Sequence, residues 1–295
     1  MTEVAEGHHI KDQGDLKNAA PLLREALEAR RETLGPRHQH TLTSLNNMAL
    51  LLKDQGKLDE AIEAFNKALS IKPDYGTAKH MLSALTGNKN ETAPREYVEN
   101  LFDGYSKKFE ASLVDNLEYK TPKLIRDILI KANINGSLGS IIDLGCGTGL
   151  FGSEIRDHCS QLEGIDLSKR MLDEARKKNA YDRLMYRDIV DYLSTEKLNF
   201  DYFISSDVFV YIGDLSDVFR LIKLRNSSGG KFVFSTEHTN KGDFSLEKSG
   251  RYSHSKMYIE SLCEKYRYTL SHFKIVNIRK DKGVYITGGL YLLDF

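Results

Sequence analysis

The sequence predicts an α/β doubly wound sheet with an antiparallel last strand, preceded by a small all-α segment. Three observations predict it. An apolar stretch, Ser140–Leu144, runs straight into the glycine turn GCGTG and then into a helical pattern. From Glu96 onward, short apolar strands alternate with amphipathic helices, the order that builds a mostly parallel sheet. Ahead of them, KDQG occurs twice, at Lys11–Gly14 and Lys53–Gly56, 42 residues apart and each time before a helix-like segment.

Composition narrows the setting. At 295 residues the chain suffices for one large domain or two modest ones. A formal net charge of 0 and a pI of 7.1 give no global field toward nucleic acid or an acidic membrane. The 3 cysteines, Cys146, Cys159 and Cys263, lack CxxC spacing, which argues against structural zinc and against a disulfide framework. A reducing compartment follows. The opening residues carry no basic segment followed by an apolar run, and no apolar stretch is long enough to span a bilayer. The expectation is a cytoplasmic protein with no membrane partner. No metal is expected either, because His8, His9, His38 and His40 have no Cys or carboxylate to complete a ligand set.

The repeated segment is read most clearly in its second copy. Leu45, Met48, Ala49 and Leu52 form one helical stripe, and Ala61, Phe65 and Ala68 form the facing one. Gly56 turns the chain between them and Pro73 stops the second helix. Small alanines let the helices approach closely while Phe65 fills the space beside them. Thr77–Leu85 reads as a capping helix. This pattern resembles the tetratricopeptide repeat, in the longer variant of kinesin light chains. Against that family's signature the first copy departs at Glu3, Glu6 and Gly7, where the resemblance implies apolar and small residues, and the expectation is a frayed opening helix or a missing upstream repeat. The resemblance implies a protein-partner or self-association surface. The expected division is 1–86 for the repeats and capping helix, 87–95 for a linker, and 96–295 for the sheet domain.

Within the sheet domain, Gly145, Gly147 and Gly149 allow a sharp turn from strand to helix with the backbone close to a ligand. A dinucleotide fingerprint GxGxxG requires glycine where Leu150 stands. Three acids instead close successive strands: Asp143 before the turn, Asp166 at the end of Gln161–Asp166, and Asp188 after the third strand. Strand four is Asp201–Ser206 and strand five Lys231–Ser235. Phe273–Arg279 and Tyr285–Leu293 form a closing hairpin around the turn KDKG.

This constellation resembles the Rossmann-like class I methyltransferases, and IIDLGCGTGLFG, REYVENLFDGYSKKFEASLVDNLEYKTP and GRYSHSKMYIESL resemble a bacterial family in which such a domain follows tetratricopeptide repeats. The resemblance implies S-adenosyl-L-methionine as cofactor. It also implies a binding set of Asp143, Gly145, Cys146, Gly147 and Gly149 in the turn, and Asp166, Leu167 and Met171 after strand two. Asp188 and Ile189 after strand three, and Ser206 after strand four, complete it. The segment Tyr97–Tyr105 with Phe109 is the expected lid, with Tyr105 at the cofactor.

Methyl transfer is an in-line displacement at an activated carbon, so the protein mainly aligns the acceptor and excludes water. His254 is the expected general base if the acceptor must lose a proton, with Tyr211 beside it. Asp207, Glu237, His238, Arg251 and Tyr252 are further groups at strand ends, Arg251 as a partner for an acidic acceptor. Strand four ends in SSDVFVYIGD without the Asn/Asp-Pro-Pro-Tyr of many nucleobase enzymes, which with zero net charge disfavours nucleic acid. The leading expectation is a methyltransferase with an unidentified small-molecule, carrier-bound or protein acceptor. A catalytically silent cofactor-binding scaffold, an RNA-modifying enzyme and a nicotinamide-dependent reductase are the competing readings.

Overall fold

The computed structural model describes residues 16–88, 90–105, 118–133, 136–281 and 283–295. They fall into two compact units, one up to Asn90 with Leu246–Gly250, the other Glu91–Ser245 with Arg251–Phe295.

The first unit consists of α1 (Leu16–Leu34), α2 (Gln39–Asp54), α3 (Leu58–Ile71) and α4 (Gly76–Thr86). Its helices pack through the small residues the pattern marked: Ala49, Ala61 and Ala68 are fully buried, and Phe65 fills the space beside them. Leu51, outside the expected stripe, is also fully buried and joins Ala19, Leu23 and Met48 in a cluster against which Leu52 packs only partly. His38 is the N-cap of α2, its Nδ1 accepting from the His40 backbone N–H at 3.2 Å. The first KDQG, together with Glu3, Glu6, Gly7, His8 and His9, lies outside the described residues.

The second unit opens with α5 (Arg95–Tyr105) and α6 (Thr121–Ala132), followed by a 9-stranded sheet. In chain order come β1 (Ser140–Leu144), α7 (Leu150–Ile155), β2 (Gln161–Asp166), α8 (Lys169–Lys177), β3 (Arg183–Tyr186), α9 (Ile189–Thr195) and β4 (Tyr202–Ser205). Then follow α10 (Ser216–Arg225), β5 (Lys231–His238), β6 (Phe244–Leu246), β7 (Tyr252–His254), α11 (Lys256–Tyr266), β8 (Thr269–Asp281) and β9 (Val284–Asp294). The sheet order is β3-β2-β1-β4-β5-β7-β6. Strands β1 to β5 pair in parallel, and β9 returns antiparallel along Lys231–Glu237 of β5 with β8 beyond it. The chain switches direction across the sheet between β1 and β4, which opens a crevice at their carboxyl ends.

Both faces of the parallel strands are covered, as such sheets require. One face packs Phe203, Phe209, Phe219, Phe232 and Phe234, with Tyr291 stacked on Phe234 at 5.0 Å. The other packs Ile141, Ile204 and Val233 against Ile125 and Leu129 of α6 and Phe151 of α7. The doubly wound sheet with an antiparallel ending is thus the fold the residues predicted.

Three details differ from expectation. Strand β5 runs on to His238, so Glu237 and His238 sit within it rather than in a following loop. Strands β6 and β7 hold 3 residues each, too short to show alternation in sequence. The last stretch of the expected linker is pinned to the sheet unit: the Ala93 N–H donates to the Tyr211 carbonyl at 2.9 Å, and Thr92 bridges Ile212. Among the described residues no helix is long and apolar enough to cross a membrane.

Candidate functional site

A cavity of about 710 Å³ lies at the carboxyl ends of the parallel strands, within the second unit. Its wall begins where β1 stops. Gly145 takes φ +81°, and a Cβ there would come within 2.5 Å of Val208 Cγ2, so only glycine lets the turn pass under the strand-four loop. Gly145, Cys146 and Gly147 line the cavity. Burial pushes the Cys146 thiol well up, with Asp166 and Asp143 adding to the effect, so the group is an apolar wall rather than a nucleophile.

The three strand-end acids meet at this cavity. Asp143 is 1% exposed; its Oδ2 accepts from the Tyr181 hydroxyl at 2.7 Å, while Oδ1 has no partner. Burial pushes its carboxyl up to about 7, against the Tyr181 hydrogen bond and with a smaller contribution from Asp166. Asp166 accepts from the Gly147 N–H at 2.9 Å through Oδ2 and from the Ser168 N–H at 2.8 Å through Oδ1. One carboxylate thereby ties the glycine turn to the start of α8. Burial again dominates, lifting it to about 6 against those backbone hydrogen bonds. Asp188 is the N-cap of α9 and accepts from the Asp191 N–H at 3.1 Å.

Helix α5 closes one side. Arg95 pairs with Asp188 at 3.1 Å and with Asp191 at 2.8 Å. Asp103 accepts from the Ser168 hydroxyl at 2.5 Å, and its carbonyl accepts from Arg170 at 2.9 Å. Val98, Leu101 and Phe102 turn toward the cavity, Phe102 meeting the Tyr211 ring edge-on at 5.4 Å. The Tyr105 side chain and Phe109 lie outside the described residues.

Opposite the glycine turn, the end of β4 carries a charged cluster. Asp207 adopts φ 60°, and both its oxygens accept from Arg279 Nη1 at 2.8 Å. Arg279 Nη2 donates to Glu237, and Arg251 lies 3.9 Å from the same carboxylate and 3.6 Å from Asp281. Arg251 also donates to the Tyr211 phenol. Ser206 hydrogen-bonds the Tyr119 hydroxyl at 2.9 Å. Asp207, Tyr211, Arg251 and Arg279 all reach the cavity.

Of the expected binding set, Asp143, Gly145, Cys146, Gly147, Asp166, Leu167, Asp188, Ile189 and Ser206 line the cavity, as does Tyr211. Three of the expected site residues, Gly149, Met171 and His254, do not line the cavity. Gly149 is the N-cap of α7 and faces Tyr181 and Ala175, so its conformation serves packing. Met171 is 1% exposed in the first turn of α8, where its side chain joins the core. His254 is fully buried on β7, off the cavity, with Nε2 donating to the carbonyls of Ile212 at 3.0 Å and Gly213 at 2.9 Å. The Nε2–H holds the strand-four loop, and the basic Nδ1 is buried without a partner off the cavity, where no acceptor in the cavity reaches it.

Burial pushes the His254 imidazole down to about 4, more than the two backbone hydrogen bonds raise it. A depressed imidazole contributes stability that is present above its usual 6.5 and lost as pH falls toward about 4. The stability gap between wild type and His254→Gln, measured by thermal unfolding, should therefore shrink from about pH 7 to about pH 4.5. A gap independent of pH would contradict the assignment.

Arg279, Tyr181, Tyr119 and Arg95 were not singled out by the sequence. Arg279 sits next to the turn KDKG, where an arginine reads as exposed; a register shift between Asn277 and Arg279 accompanies the burial of both Ile278 and Arg279. A short alternation-breaking stretch is the only sequence signal for it.

Comparison with known proteins gives a consistent picture. The family model described as a methyltransferase domain matches residues 135–284, and one described as a tetratricopeptide repeat matches residues 2–74. Nodulation protein S of Rhizobium tropici is 27% identical over 114 residues, covering 36% of this chain and 47% of that protein. A malonyl-(acyl-carrier protein) O-methyltransferase of Hamiltonella defensa is 32% identical over 96 residues, covering 32% and 37%. The chain spans about a quarter to a half of the length of curated relatives it matches. Among solved structures, magnesium protoporphyrin IX methyltransferase from Synechocystis with bound SAH superposes with a TM-score of 0.53 at 15% identity, covering 68% of this chain and 98% of that one. That likeness concerns the fold.

Proposed function

Because the chain belongs to the methyltransferase-domain family, we propose that it is an S-adenosyl-L-methionine-dependent methyltransferase acting on a small-molecule, carrier-bound or protein acceptor. The observation that carries this reading is the convergence of Asp143, Asp166 and Asp188 with the glycine turn on one cavity. The residues suit the cofactor. Asp166 accepts from the backbone amides of Gly147, Ser168 and Leu167 and retains acceptor capacity for a diol. Asp143 Oδ1 is a buried acceptor without a partner, suited to the cationic methionyl end. Asp188 and Ile189 would hold the adenine. When bound, the cofactor supplies a methyl group on a sulfonium already activated for displacement.

The acceptor then belongs at the opposite end, beside Tyr211 and the cluster of Asp207, Arg279 and Arg251. Tyr211 touches it and orients it, while Phe102 and Leu101 of α5 exclude water. Arg251 offers a guanidinium to an acidic group on the acceptor. The repeats serve as the protein-interaction or self-association module.

Proton linkage provides a test. A buried carboxyl raised above its unfolded value favours the fold when protonated, and that contribution is lost as pH rises through its folded value. Ionised Asp143 and Asp166 thus cost stability in the free protein above about 7 and about 6 respectively, and a cationic ligand offsets that cost. Calorimetric titration with S-adenosyl-L-methionine should show binding at about pH 8 and affinity lower by roughly tenfold or more at about pH 5.5. Absence of binding at both pH values would overturn the reading. Cofactor consumption over a panel of carboxylic acids, amines and peptides then identifies the acceptor.

A further inference from the structure

Tyr181, in the link between α8 and β3, belongs to none of the groups already assigned. Its hydroxyl makes two directed hydrogen bonds, donating to Asp143 Oδ2 at 2.7 Å and accepting from the Gly152 N–H at 3.1 Å. That amide is one of the orphan donors at the start of α7, where the N-cap residue Gly149 has no side chain to offer. The Tyr181 ring occupies a socket made by three glycines from three elements. A Cβ at Gly149 would stand 3.0 Å from Tyr181 Cε2, one at Gly164 of β2 would stand 2.9 Å from Cε1, and one at Gly152 of α7 would overlap the ring outright. Shape and hydrogen bonding therefore place one phenol hydroxyl between the acid that ends β1 and the helix that follows the glycine turn.

We propose that Tyr181 is the positioning residue for the cofactor-binding acid: its hydroxyl locks Asp143 through Oδ2, leaves Oδ1 unpartnered at the cavity wall, and joins that carboxylate to the first turn of α7. The inference rests on the cofactor reading above. Without the hydroxyl, Asp143 is a buried carboxylate free to rotate, with no donor favouring its charged form. Cys146 and Asp166 are the other titratable groups facing it, and Asp166 disfavours its charge; among the described residues the Tyr181 hydroxyl is the group that favours the ion. Arg176 acts on Cys146 from α8 and does not hydrogen-bond Asp143.

The test is Tyr181→Phe, which keeps the ring in its socket and removes only the oxygen. Calorimetry with S-adenosyl-L-methionine is followed from about pH 5.5 to about pH 9, and folding is checked by thermal unfolding. The expected result is affinity reduced about tenfold near neutral pH, with the pH midpoint of binding moved upward. In an Asp143→Asn background, the same substitution should then have little further effect, because the two residues act as one unit. Affinity and midpoint unchanged in Tyr181→Phe would overturn the proposal and reduce Tyr181 to packing. Should that variant fail to fold, Gly152→Ala displaces the ring from an otherwise intact helix and must produce the same loss and the same shift. Failure of wild type to bind at all would instead refute the cofactor reading, so the two failures are distinguishable.

Discussion

Replacing Arg279 with methionine should destabilise the sheet unit by about 3–5 kcal/mol, the largest effect expected of any single substitution here. The guanidinium is 2% exposed, donates to both oxygens of Asp207 at 2.8 Å and reaches Glu237 with its other nitrogen. Those carboxylates are themselves only 15% and 11% exposed. Methionine fills much of the volume but leaves buried Asp207 without its bidentate partner and Glu237 with only Arg251 at 3.9 Å, and desolvated charge that loses its partner is far more costly than the pair's net contribution. Asp207 also holds a left-handed backbone at φ 60°, a conformation that side-chain bonding must support in a residue other than glycine. Lysine keeps the charge but cannot address two carboxylates with a planar fork, so Arg279→Lys should fall between the two. Urea unfolding measures this directly. Neutralising the partners as well, in Arg279→Met with Asp207→Asn and Glu237→Gln, should recover part of the loss. A midpoint for Arg279→Met equal to that of wild type would show that the cluster is not a structural element.

The second large effect concerns binding. Under the proposed function, Asp166→Ala should weaken S-adenosyl-L-methionine by about a hundredfold or more, since it removes charge-assisted hydrogen bonds of about 1.5–3 kcal/mol each. The carboxylate has two duties. It offers acceptors to a diol, and it holds the Gly147 and Ser168 amides at 2.9 and 2.8 Å. Losing it removes the ligand contact and loosens the turn that shapes the rest of the wall. Asparagine does not repair this, because its amide nitrogen would face a backbone N–H that needs an acceptor. Calorimetry on a folded Asp166→Ala protein decides the matter: affinity within threefold of wild type, roughly 0.7 kcal/mol, would remove Asp166 from the site.

Much of the site was legible because its determinants are local. A strand that ends in acid and glycine must turn there, whatever packs around it. The parallel register then sets the ends of β1, β2 and β3 side by side, which gathers Asp143, Asp166 and Asp188. Met171, Gly149 and His254 lie off the cavity lining for the converse reason. Each stands at the right position in the chain, but the helix phase of Met171, the Tyr181 contact at Gly149 and the burial of His254 turn them away from the cavity.

The amino-acid sequence by itself determined the fold class, the repeated helices and the strand-end acids with their glycine turn. Periodicity, turn chemistry and strand termini act over a few residues and need no distant partner. Only the tertiary structure decided what Arg279, Tyr181 and His254 do. Partners of theirs lie 72, 38 and 42 residues away, and a polar side chain becomes a clamp, a positioning hydroxyl or a loop anchor only when folding removes water and fixes its partners in place.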